Sequence, residues 1–285
     1  SYYDVELIMN DKKINILKKH AISCRKRLLE MIYHGNNGHT GGSLSSVDIL
    51  VSLYFEVMKI NPQNPGDHDR DRFIMSKGHS VEAMYSVLSG RGFFKDEILD
   101  SYGKFQSPLA GHPVNKIPGI ELNSGALGHG LAVGVGMALA AKRSGNRYRT
   151  FVLMGDGEQA EGSIMEAAAT AGHYRLDNLV GINDRNGLQI SGPTEKVMAI
   201  EDLSLKYRAC NWEVKECDGN NINEIIDQLE NLPFRKDAPS LLIAHTTKGK
   251  GVSFIENNAG WHHKVPSEKE FNIAITELEK ALEEI

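Results

Sequence analysis

Gly155-Asp156-Gly157-Glu158-Gln159-Ala160-Glu161-Gly162 follows the apolar run Thr150–Met154, and Asn183-Asp184-Arg185-Asn186-Gly187 follows a second apolar run, Asn178–Ile182. Each run is short, mostly apolar and free of charge, the pattern of a strand covered on both faces. Ser163–His173 between them reads as a helix. Strand, helix and strand in that order form a βαβ unit, whose right-handed crossover lays the two strands parallel. The alternation continues through helix Leu203–Ala209, strand Glu213–Cys217, helix Ile222–Glu230, strand Ser240–Thr246 and a C-terminal helix Glu268–Glu283. It predicts an α/β fold: one doubly wound, mostly parallel sheet with helices on both faces, a single domain over residues 1–285.

Towards the N-terminus, Ile14, Leu17, Ala21, Leu28 and Ile32 recur at mostly helical spacing, so Asp11–Tyr33 is an amphipathic helix. Ser45 with Asp48 resembles a capping box and predicts a helix over Ser46–Met58. Asn61 to Asp71 is a polar loop, Arg72–Ser76 a short strand and Ser80–Ser89 a helix. Gly103 to Asn123, rich in Pro and Gly, is a long irregular stretch of the kind that often carries function. Leu131–Ala141 is a Gly/Ala-rich helix, either plain core or a face small enough for another backbone to approach closely.

Composition removes several classes. The chain of 285 residues has 32 basic and 37 acidic side chains, a net charge of −5, without the basic stripe a nucleic-acid binder needs. The longest apolar run, Leu131–Ala141, is about half the roughly 20 residues that cross a bilayer. Charged residues interrupt the first twenty positions, unlike a secretory signal. Three cysteines without CxxC spacing suit a reducing cytoplasm better than a disulfide framework or a zinc site. The expected setting is cytoplasmic, with neither membrane nor nucleic acid as partner.

In open parallel sheets ligands sit at the carboxyl ends of the strands, and Asp156 and Asn186, about 30 residues apart, each stand at such an end. A carboxylate and an amide oxygen facing one crevice are hard ligands for Mg²⁺, which shares its sphere with phosphate oxygens and water. Gly155 and Gly157 clear the turn of side chains, so backbone N–H groups and a helix end can meet a diphosphate. A lone Gly-Asp-Gly is an ordinary turn. With Gly162, and with Asn186 at a second strand end, it is far more specific.

This stretch resembles the thiamine-diphosphate motif of the transketolase family. Gly38-His39-Thr40-Gly41-Gly42-Ser43, Ser76-Lys77-Gly78-His79-Ser80, Gly111-His112-Pro113 and Gly125-Ala126-Leu127-Gly128-His129-Gly130 resemble transketolase segments too, in family order. The likeness spans nearly the whole chain but only the N-terminal, diphosphate-binding half of a full-length transketolase, as in the N-terminal subunit of a split enzyme. It implies a thiamine-diphosphate-binding fold, with thiamine diphosphate and Mg²⁺ (or Ca²⁺ or Mn²⁺) as cofactors. Asp156, Asn186 and the Leu188 carbonyl would hold the metal. The Gly157 amide would meet the diphosphate, with Gly125, Leu127, Gly155, Glu161 and His79 also cofactor-binding. Glu161 corresponds to an acid at the contact between paired active sites, and Glu166 to a second such acid or an exposed helix charge. Glu158 receives no role. Arg185 departs from the family's acidic or neutral residue and reads as a surface group.

Of eleven histidines, His39, His79 and His112 stand beside glycines in loops, and imidazole suits the handling of sugar hydroxyl protons. By resemblance these three and a late histidine line the substrate channel as catalytic residues. His262 is favoured over His263 because the neighbouring position is commonly glycine in split members. His129 reads as loop support. Lys248-Gly249-Lys250-Gly251 is either an exposed basic turn or a loop closing over the diphosphate. The implied reaction is ketol transfer between sugar phosphates. It would require a C-terminal partner carrying the pyrimidine-binding domain, in an α₂β₂ assembly. The alternatives are a piece of a 1-deoxyxylulose-phosphate synthase or 2-oxoacid dehydrogenase, or a noncatalytic regulatory subunit.

Overall fold

The computed structural model describes residues 2–285, with side chains from Asn10 onward. The strands are β1 (Arg72–Met75), β2 (Thr150–Gly155), β3 (Leu179–Arg185), β4 (Leu188–Gln189), β5 (Gly192–Pro193), β6 (Glu213–Asp218) and β7 (Ser240–His245). Five form one wholly parallel sheet in the order β1-β2-β3-β7-β6; β4 and β5 make a small antiparallel hairpin apart from it. The helices are α1 (Tyr2–Gly35), α2 (Thr40–Ser52), α3 (Val81–Arg91), α4 (Gly130–Ser144), α5 (Gly162–His173), α6 (Thr194–Val197), α7 (Leu203–Ala209), α8 (Ile222–Leu229) and α9 (Glu268–Glu283).

Successive strand side chains point to opposite faces, and the core divides accordingly. Phe73, Phe151, Leu153, Val180, Ile182 and Leu242 pack with residues of α1, α2, α3, α8 and α9. Ile74, Val152, Met154, Leu179, Leu241 and Ile243 pack with α4, α5 and α7. The doubly wound sheet read from the sequence is therefore present, and no helix among the described residues is long and apolar enough to cross a membrane.

Two local expectations change. The second helix begins at Thr40 rather than Ser46, and Ser45 does not cap it. Every residue of α2 is buried, and inside it Ser45 and Ser46 donate to the Gly42 carbonyl and the Asp184 carboxylate. Their hydroxyls serve the site, not a helix start. Past Ser52 the chain continues as a π-helical turn over Leu53–Val57. On α4, Gly130, Gly134, Ala138 and Ala141 are buried. A Cβ at Gly134 would stand 2.6 Å from Val152 Cγ2, so this side of the helix lies directly on the sheet. Ala132, Gly136 and Ala140 remain exposed.

Candidate cofactor and active site

Strand register explains why distant residues meet. Gly155 of β2 pairs with Asp184 of β3, and Asp184 pairs with Ala244 of β7. The carboxyl ends of three adjacent strands thus lie level, and the turns after them open on one cavity of about 480 Å³. Its wall includes Gly125, Leu127, Gly155, Asp156, Gly157, Asn186 and Leu188 together with His39, His79, Lys248 and His262. Gly42 lies in the same wall; a Cβ there would be 2.8 Å from Ser80 Oγ and would require that hydroxyl to turn aside.

Asp156 is 2% exposed. Its Oδ2 accepts the Gly187 N–H at 2.7 Å, Arg185 Nη1 at 2.9 Å and Thr194 Oγ1 at 3.2 Å, while Oδ1 accepts only Asn183 Nδ2, at 3.2 Å. Burial raises the Asp156 carboxyl above its ordinary range even with Arg185 attached. The charge is under-compensated, a condition a divalent cation would relieve. Asn186 Oδ1 accepts the Leu188 N–H at 3.1 Å, which leaves it a second lone pair. A carboxylate, an amide oxygen and the Leu188 carbonyl make a donor set that fits a hard divalent ion.

The floor is cationic. Lys77, 1% exposed, donates to the Gly42 carbonyl at 3.1 Å and Ser46 Oγ at 2.9 Å and forms an ion pair with Asp184. Burial alone would raise the Asp184 carboxyl, yet Lys77 and the hydroxyls of Thr246 and Ser45 hold it below the ordinary range. Lys248 Nζ lies 3.1 Å from His262 Nδ1. Burial and then Lys77 push its ammonium down to about 8. Lys248 therefore belongs to the cavity and not to an exposed turn.

His39 sits at the centre of an imidazole cluster, with ring centroids 5.2 Å from His79, 5.5 Å from His262, 4.6 Å from His263 and 6.3 Å from His112. Burial, then His263 and His112, push His39 down to about 4. Burial and then Lys248 push His262 to about 3, and burial with Lys77 holds His79 well below its usual value. All three are neutral at pH 7. His112 and His263 are exposed at the mouth; a Cβ on Gly125 would come within 2.7 Å of the His112 ring. His129 turns its Nδ1 to the Leu127 carbonyl at 3.1 Å, within its own loop.

Glu161 does not line the cavity. It is the exposed N-cap residue of α5, beside Gly128. Glu166 is exposed on the same helix. One sequence reading is overturned, and one residue left without a role acquires one. Arg185 is no surface group: its side chain is 10% exposed and bonded to Asp156, Glu195 and Glu201. Glu158, given no role, is 1% exposed, accepts N–H bonds from Gly128 and Gly155 at 3.0 and 3.1 Å, and bonds the Ser76 hydroxyl. It fastens three loops of the site to one another. Glu82, also unanticipated, is wholly buried and accepts from Ser43 Oγ at 2.7 Å, Tyr102 Oη at 2.7 Å and the His39 N–H at 3.3 Å. Lys77 and Glu158 lay inside quoted motifs, the one signal available for them; Glu82 had none.

A doubly wound parallel sheet with an acid and an amide at neighbouring strand ends, facing a glycine-stripped crevice, defines an α/β protein of the kind that takes a diphosphate at its strand ends. The chain belongs to the family of the transketolase thiamine-diphosphate-binding domain, which residues 17–278 match. One of the subunits of the apulose-4-phosphate transketolase of Phocaeicola vulgatus is 49% identical to it over 273 residues, covering 96% of this chain and 97% of that one. The 6-deoxy-6-sulfo-D-fructose transketolase subunit SqwG of a Clostridium species is 40% identical over 273 residues, covering 95% and 99%. Among solved structures, transketolase from Campylobacter jejuni superposes with a TM-score of 0.87 at 32% identity. There the match covers 93% of this chain but 43% of the Campylobacter chain.

Proposed function

We propose that this chain is the diphosphate-binding subunit of a thiamine-diphosphate-dependent transketolase, which moves a two-carbon ketol unit from a ketose phosphate to an aldose phosphate. The observation that carries this reading is the convergence of Asp156, Asn186 and Leu188 with His39, His79 and His262 on one cavity. Asp156, Asn186 Oδ1 and the Leu188 carbonyl would hold Mg²⁺, with Ca²⁺ or Mn²⁺ as chemically equivalent occupants. Gly155, the Gly157 amide, His79, Gly125 and Leu127 would border the diphosphate and the ring that follows it. Thiamine diphosphate supplies, when bound, a carbon nucleophile and an electron sink for breaking and making a C–C bond.

The chain's own residues bind the anion, orient the sugar and manage protons. Protonated Lys248 donates to His262 Nδ1, which fixes the tautomer and leaves Nε2–H to donate into the cavity. His39 and His79, uncharged, can donate to one hydroxyl and accept from another. Burial first, and Lys248 and Lys77 after it, keep these imidazoles low; a bound anion would offset only the lysines' share and would move them towards the range where proton transfer is efficient. His112, exposed beside the cavity, would meet the more distal hydroxyls.

The reading includes a second chain. The pyrimidine-binding domain, with the carboxylate that activates the aminopyrimidine, would come from a C-terminal partner in an α₂β₂ assembly. Relatives of matching length that are themselves named as subunits support this. Glu161 and Glu166, exposed on α5, would face the contact between the paired sites. A cytoplasmic setting suits the three free cysteines. The test is ketol transfer by the chain alone, by the two-chain complex, and by the complex carrying Asp156→Ala. Activity confined to the unaltered complex is expected. Full activity from the lone chain removes the partner, and undiminished turnover in Asp156→Ala removes the cofactor site.

A further inference from the structure

We infer that Arg185 is a positioning residue: it straps the segment 186–201 to Asp156 and turns one particular oxygen of that carboxylate towards the metal. The inference deepens the reading above and rests on it. Arg185 Nη1 bonds Asp156 Oδ2 at 2.9 Å. Its Nη2 bonds Glu195 Oε1 at 3.0 Å and Glu201 Oε1 at 2.9 Å, and its Nε bonds Glu201 at 3.1 Å. One guanidinium therefore holds three carboxylates, using the fixed fork of donors that a lysine lacks.

The geometry at Asp156 gives this a directional consequence. Oδ2 receives Arg185, Gly187 and Thr194, which uses up its lone pairs, while Oδ1 receives a single contact of 3.2 Å from Asn183. Oδ1 is the oxygen left for a cation. The strapped segment contains Asn186 and Leu188, proposed as the other two ligands, and the β4–β5 hairpin whose Ile190 and Ser191 line the cavity. Around the proposed ligands its hold on the rest of the site is polar: the Gly187 N–H and Thr194 Oγ1 to Asp156, the Asn186 N–H to the Asp184 carbonyl, and the Arg185 fork; towards its far end Ile200 is buried in the core with α7. Glu195 and Glu201 are 42% and 49% exposed, so they add little stability singly. Joined through a guanidinium that also grips a buried carboxylate, they tie the two proposed ligands in place before any metal arrives.

The test compares the full-length chain with Arg185→Leu, Arg185→Lys and the surface double variant Glu195→Gln/Glu201→Gln. Amide hydrogen exchange without ligand is read first, then Mn²⁺ binding in the presence of inorganic pyrophosphate by electron paramagnetic resonance. Exchange over 186–201 is expected to rise at least about tenfold in both Arg185 variants and less in the double variant, with the β2 and β3 core unchanged. Mn²⁺ should bind several-fold more weakly to all three. Charge alone would instead make Mn²⁺ bind more tightly to Arg185→Leu and leave Arg185→Lys unaltered. That pattern, or unchanged exchange over 186–201, overturns the strap. An unaltered chain that binds no Mn²⁺ counts against the metal reading, and the exchange result then decides the strap alone.

Discussion

Lys77 and Asp184 form an ion pair beneath the cavity, with side chains 1% and 0% exposed. Neither charge reaches water, so each depends on the other and on a ring of hydroxyls: Ser45, Ser46 and Thr246. Breaking a buried pair costs more than forming it gains, because the survivor is left charged in a medium that cannot solvate it.

Lys77→Met should therefore destabilise the chain by about 3–5 kcal/mol. Urea unfolding measures it directly. A loss under about 1 kcal/mol, the size of a solvated surface pair, would mean that water reaches Asp184 and that the floor of the cavity is open.

Glu82 offers a graded test of the His39 loop. Its three partners all donate, so Glu82→Ala leaves three buried donors unmet and should cost about 2–4 kcal/mol. Glu82→Gln, which keeps the shape and one accepting oxygen, should cost less than half as much. If the two variants unfold at the same denaturant concentration, Glu82 does not hold the loop through its hydrogen bonds.

Protonation of the histidine cluster should weaken the fold in acid. The folded values of His39 and His262 lie near 4 and 3, below the roughly 6.5 of an unfolded histidine. Between those limits the unfolded chain binds more protons, so stability falls as pH drops through about 6.5 towards 4. Both rings are partly solvated, which limits the effect to about 1–2 kcal/mol each. His39→Asn should lose less stability than the unaltered chain over that interval. Parallel curves would mean that His39 is not held neutral by its surroundings.

Lys248 titrates in the opposite sense when a ligand arrives. Its ammonium, at about 8 in the free chain, gains a favourable partner in a diphosphate and must rise. Binding of thiamine diphosphate near that pH should accordingly take up a fraction of a proton. Calorimetry in buffers of different ionisation enthalpy reads this, and Lys248→Met should abolish the uptake. Proton release, or uptake unchanged in the variant, would place the titrating group elsewhere.

The local sequence was sufficient for the sheet. Apolar runs such as Thr150–Met154 and Asn178–Ile182 have no alternative to burial on both faces, and helices between them leave a parallel sheet as the arrangement that satisfies every backbone group. The motifs also named most of the cavity wall. Asp156 and Asn186 follow strands, and a strand end is a place as well as a residue type. Ser45 shows the limit of such reading. Serine followed by an acid is the pattern of a helix start, yet its hydroxyl belongs to Asp184, some 139 positions away.

What the sequence by itself determined is thus the set of elements, their order and the chemistry of their ends. What only the tertiary structure decided is which charges are compensated. Arg185, Glu158, Glu82, Lys77 and Lys248 are individually ordinary polar residues, and in a sequence each is most simply a solvated one. The level register of β2, β3 and β7 brings partners from remote segments to Lys77 and Arg185, while packing withdraws water from them. Charge burial depends on three-dimensional neighbours that no local pattern encodes, because the free energy of an ion is set by everything within a few ångströms of it and not by its place in the chain.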